Sequence, residues 1–139
     1  MPRRTISSGS PWEEIVGFSR AVRVGEHVYV AGTGPVQADG GCASDAHGQA
    51  QRCWTIIRAA LDDAGADLDE VVRTRTYVTD PAVFDAVNEV HHAMVGRARP
   101  ASTLVVVAGL ADPRWLVEIE VDAIIGSAPA APAAPAADA

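Results

Sequence analysis

Glu118, Glu120 and Asp122 stand at every second position of the run from Leu116 to Ile125, with Val117, Ile119, Val121 and Ala123 between them. Strict alternation marks a strand with one buried face, so the three carboxyls share the opposite face with Ile124. Crowded carboxyls raise one another's pKa. A carboxylate partly withdrawn from water can take up and return a proton near neutral pH. General acid–base work is the chemical reading of this strand, and a row of solvent-facing acids is the plain one.

Other reactive residue types give less. His91 and His92 are neighbours on a helical pattern and point about 100° apart, so they do not chelate one ion together. His27 and His47 stand elsewhere, and His91 reads as a core histidine. Cys53 lies on the apolar face of a helix. Cys42 lies in a loop with no base at a telling spacing, so neither reads as a nucleophile. Gly32-Thr33-Gly34 lacks the third glycine and the following helix of a dinucleotide loop. Trp12, Trp54 and Trp115 are scattered, and Trp115, at a turn, can either rim a pocket or pack. No metal and no cofactor is expected.

The elements that carry these residues follow from periodicity. Residues 1–16 read as a surface arm with room for one short strand. Phe18 to Val24 alternates, Gly25-Glu26 is a type II′ turn candidate, and His27 to Ala31 is β-rich, which together make a hairpin. Ser44 or Asp45 caps a helix running to Ala64, with Ala50, Cys53, Trp54, Ile57, Ala60, Leu61 and Ala64 on its inner face and Gly65 as its stop. Val71 to Val78 is β-branched throughout and reads as a strand. Asp80-Pro81 opens a second helix with Val83, Phe84, Val87, Val90, His91 and Met94 inward, ended by Gly96. Thr103 to Ala108, continuously apolar, predicts a strand buried on both faces. Asp112-Pro113 turns the chain into the acidic strand.

The order β-β-α-β-α-β-β is that of an α/β (α+β) domain, a mixed sheet with two helices on one face. It spans residues 1–126, and the Ala/Pro-rich segment 127–139 reads as a mobile tail. The face without helices carries Thr, Val and charged residues, too apolar to stand in water, so an oligomer with pockets at its seams is expected. The chain has 139 residues, 48% of them hydrophobic, and a net charge of −7. That balance argues against nucleic acid and acidic membrane partners, since phosphate binding needs concentrated Lys and Arg. No apolar run reaches the roughly 18 residues of a membrane span. Arg3 and Arg4 precede a polar stretch rather than a leader, so a cytoplasmic location is expected.

Seven segments in order and spacing resemble the RidA/YjgF family: 16–25, 30–35, 64–72, 77–80, 84–90, 99–103 and 117–124. The resemblance covers roughly residues 14–126. It implies a chorismate-mutase-like homotrimeric barrel with three clefts between subunits. It also implies hydrolysis of small reactive enamines or imines to a keto acid and ammonia, without metal or organic cofactor. Glu120 matches the family glutamate that positions the attacking water. Ser102, Thr103, Asn88 and Gly32 become substrate-binding candidates, with backbone amides near Gly32 and Ala108 able to hold an oxyanion. Trp115 becomes a candidate for the pocket rim.

Two departures bear on substrate. The family arginine that clamps a substrate carboxylate is replaced by Ser102 in Arg99-Pro100-Ala101-Ser102-Thr103. Its loss costs about 2–4 kcal/mol of binding for an amino-acid imine. Arg99 and Arg75 are the candidates to compensate, and an interface ion pair is the plain reading of each. Phe18 stands where the family often has Tyr, so it offers a wall without a hydroxyl. Three functions remain open: an enamine or imine hydrolase or tautomerase using Glu120, an acid–base catalyst of a biosynthetic cyclisation, addition or elimination, and a non-catalytic small-molecule-binding trimer.

Overall fold

The acidic strand lies inside the sheet. In this computed structural model, which describes residues 2–131, six strands are ordered β1-β2-β3-β6-β4-β5. They are β1 (Arg3–Ile6), β2 (Ala21–Val24), β3 (His27–Thr33), β4 (Val71–Val78), β5 (Ala101–Val106) and β6 (Val117–Ile124), with helices α1 (Pro11–Val16), α2 (Ala46–Ala64) and α3 (Phe84–Val95). All pairings are antiparallel except β4 with β5. The fold is a mixed α+β sandwich of one sheet and one helix layer. Most of the expected tail lies outside the described residues.

Asp45 caps α2 by accepting from the Gly48 N–H at 2.9 Å, and Gly65 ends it at φ +86°. The inward stripe of α2 buries Cys53, Trp54, Ile57 and Leu61 completely. It packs across β1, β2, β3 and β6, with α3 beside it. Burying four such side chains against a sheet supplies several kcal/mol of apolar stabilisation, at about 1.5–3 kcal/mol each. Gly25 turns the β2–β3 hairpin at φ +58° while Glu26 stays at negative φ, the signature of the expected II′ turn.

Four local readings change. The arm before residue 17 contains α1, capped by Ser10 and stopped by Gly17 at φ +88°. Six residues are too few to show a helical period. Phe18 lies outside β2, which begins at Ala21. Asp80 caps a single 3-10 turn over Pro81–Val83, and α3 proper begins at Phe84. The apolar run at 103–108 is neither interior nor doubly buried. It belongs to β5, the parallel edge strand beyond β4, and Val105 and Val106 are 39% and 47% exposed. An apolar run reads the same whether a strand's own chain or something outside it covers the strand.

Parity on β6 is as expected. Val117, Ile119, Val121 and Ala123 are buried under the helices, and Glu118, Glu120 and Asp122 face away. On β4, Thr74, Thr76 and Val78 are buried, which leaves Arg73, Arg75 and Tyr77 on the open face. The centre of that face is therefore charged and aromatic rather than apolar. Exposed apolar groups gather elsewhere: Trp12, Ile15 and Val16 on α1, then Phe18, Tyr29 on β3 and the β5 edge.

Candidate active site

Registration of β4 against β6 sets Arg75 directly across from Glu120, and Tyr77 across from Glu118. Long side chains also meet along the diagonal of an antiparallel pair. Tyr77 uses that diagonal, and its hydroxyl donates to Glu120 Oε1 at 2.5 Å. Arg75 Nη1 lies 3.7 Å from the same oxygen and 3.9 Å from Asp122 Oδ2. The Glu120 side chain is 30% exposed, so it is neither in bulk water nor sealed off. The hydrogen bond to Glu120, reinforced by burial, raises the Tyr77 phenol above its ordinary pKa of 10.

The β3 side of Glu120 carries a bulge. Val30 pairs with Val121 and Thr33 with Ile119, so Ala31 and Gly32 together oppose the single residue Glu120. Arg20 pins this bulge, with Nη2 donating to Ala31 O at 2.6 Å, Gly32 O at 2.9 Å and Thr33 Oγ1 at 2.8 Å. A methyl group on Gly32 would stand 2.9 Å from Glu118 Oε2 and push the end of that side chain aside. Burial raises the Glu118 pKa, Arg20 lowers it and Glu120 raises it further.

A concavity of about 600 Å³ lies over this region, lined by Phe18, Tyr29, Ala31, Arg75, Glu120 and Asp122 among others. It joins three of the sequence candidates, Phe18, Arg75 and Glu120. Gly32 flanks it through the bulge. Thr103 is registered with Arg75 on β5, on the open face.

The remaining candidates lie elsewhere in the chain. Ser102 is registered with Thr74, whose hydroxyl bonds His91 Nε2 at 2.8 Å, so Ser102 is on the helix-side face of the edge strand, opposite Glu120. Arg99 lines a separate cavity of about 400 Å³ with His91, His92, Val95, Gly96 and Pro100, and holds φ +50°. Asn88 is exposed on α3. Trp115 packs its ring against Gly34, where no Cβ could fit. Tyr77 escaped the sequence reading. Its signal was the alternation Arg73-Arg75-Tyr77, which puts it on the carboxylate face once β4 is paired with β6.

A family model described as Endoribonuclease L-PSP matches residues 10–125. An uncharacterised protein of Streptomyces coelicolor is 38% identical over 125 residues, 89% of this chain and 93% of that one. A 2-iminobutanoate/2-iminopropanoate deaminase of Dermatophagoides farinae is 27% identical, across 89% of this chain and 96% of its own. Among solved structures, a Mycobacterium tuberculosis protein of the YjgF/YER057c/UK114 family aligns with TM-score 0.82 at 45% identity, covering 89% of this chain and all of that one.

Proposed function

Because the chain belongs to the Endoribonuclease L-PSP family, that of YjgF and RidA, we propose that it hydrolyses a small reactive imine or enamine with Glu120 as general acid–base. The observation that carries this reading is a partly exposed carboxylate lining a concavity and bound on one oxygen by a tyrosine hydroxyl. The kinship with a 2-iminobutanoate/2-iminopropanoate deaminase supports the reaction class. The family description speaks of RNA cleavage. A chain of net charge −7 is poorly matched to a phosphate backbone.

In the proposed reaction Glu120 takes a proton from water as the water oxygen bonds to the imine carbon. Glu120 hands that proton to nitrogen as the C=N π pair moves there, giving a carbinolamine. It then takes the carbinolamine O–H proton and passes it to nitrogen; the oxygen electrons form the C=O bond as the C–N pair leaves with nitrogen, and ammonia and a carbonyl compound depart. Arg75 shares the concavity and replaces the clamp absent at Ser102, whereas Arg99 borders the other cavity. Three copies, meeting at the exposed apolar margins around α1, Phe18 and the β5 edge, would close the open face into seams.

The test generates 2-iminopropanoate in situ and follows ammonia release with wild type and Glu120→Gln. Turnover lost in the variant supports the reading. Unchanged turnover in the variant removes Glu120 from the chemistry. The two carboxylates lining the concavity favour one second reading, acid–base catalysis on a carbonyl compound without a carboxylate. No turnover of any amino-acid imine moves the assignment there, or to a binding trimer.

A further inference from the structure

Glu120 has two carboxylate oxygens, and the chain treats them differently. Oε1 accepts from the Tyr77 hydroxyl at 2.5 Å and has Arg75 Nη1 at 3.7 Å. Oε2 has no hydrogen-bond partner among the described residues, and it is the oxygen left for a ligand. A carboxylate with both oxygens free rotates about its terminal bond and offers its lone pairs in many directions. One charge-assisted hydrogen bond to a single oxygen fixes that rotation.

Tyr77 is suited to the task. It stands on a central strand, between β5 and β6, so its backbone is held on both sides. Its ring is carried on the same face as Glu120, and its one hydroxyl proton is committed to Oε1. Nothing else within hydrogen-bond reach competes for that proton among the described residues.

We infer that Tyr77 is a positioning residue for Glu120, holding Oε1 so that Oε2 alone faces the concavity and takes the proton. The inference rests on Glu120 being the acid–base group. It adds that Tyr77 acts through orientation and touches no substrate. Removing the hydroxyl leaves the carboxylate in place but aimed in several directions, which slows the chemical step and leaves ligand binding nearly untouched.

Two measurements test it. The first needs no activity. Tyr29 and Tyr77 are the chain's two tyrosines, so ring-¹³C tyrosine labelling gives two phenol signals, and Tyr77→Phe deletes one. In wild type the Tyr77 signal titrates later than that of an ordinary tyrosine. In Glu120→Gln it titrates at lower pH, because the negative partner is gone. Identical Tyr77 titrations in the two proteins overturn the pairing.

The second is steady-state ammonia release from 2-iminopropanoate with Tyr77→Phe. The expected result is a kcat lower by about tenfold, as for the loss of one hydrogen bond to a charged group, with KM within about twofold. An unchanged kcat in Tyr77→Phe, with Glu120→Gln inactive, overturns the positioning role and leaves the Glu120 reading standing. An active Glu120→Gln overturns that reading itself, while the phenol titration still decides whether the pair exists.

Discussion

Replacing Arg75 by alanine separates its two duties by magnitude. In the fold, its guanidinium lies 3.7 Å from Glu120 and 3.9 Å from Asp122, with side chains 41%, 30% and 29% exposed. Such open ion pairs contribute about 0.2–1 kcal/mol each, so the variant loses roughly 1 kcal/mol of stability, a few degrees of Tm. Toward a substrate carboxylate the same group would give a charge-assisted hydrogen bond of about 1.5–3 kcal/mol, a factor of about 10–100 in affinity. Arg75→Ala is therefore expected to raise KM for 2-iminopropanoate by that factor with a small change in Tm. Arg75→Lys should recover part of it, because an ammonium keeps the charge but not the fork. Calorimetric titration with pyruvate, the keto acid formed, gives the same comparison without turnover. An unchanged KM together with unchanged pyruvate affinity would refute the reasoning and leave Arg75 as a partner of the two acids only.

Further expectations can be checked on the folded protein. Native mass spectrometry should find three chains together, and a stable monomer would remove the proposed seams. Thr74→Val leaves His91 Nε2 without its 2.8 Å partner, at a cost of about 1–3 kcal/mol in urea unfolding. Gly34→Ala drives a methyl into the Trp115 ring and should cost about 1–3 kcal/mol. Glu118 has a folded pKa above its ordinary value of 4.5. The folded chain thus binds more protons than the unfolded one between those values, and stability falls as pH rises through that window. Glu118→Gln should flatten that slope in melts taken from pH 4.5 upward.

The sequence carried the phase of β6 plainly, because four aliphatic residues alternating with three acids admit only one buried face. The stripe and both stops of α2 were equally legible. What it withheld was set by contacts distant along the chain. The diagonal from Tyr77 to Glu120 exists only once β4 and β6 are registered. The face taken by Ser102 depends on the pairing of β5 with β4. Arg75 and Arg99 looked equivalent as strings of letters and border different cavities when folded. Trp115 as a rim residue and as a packing residue have the same sequence signature, and only the closeness of Gly34 distinguishes them.

The two-against-one stretch at Ala31-Gly32 sets one more residue of β3 than of β6 beside Glu120, and Arg20 holds the carbonyls of both. Deleting one of the pair would bring the ladder back into step and take one of those carbonyls from Arg20, so the seat of that guanidinium depends on chain length rather than on side-chain identity.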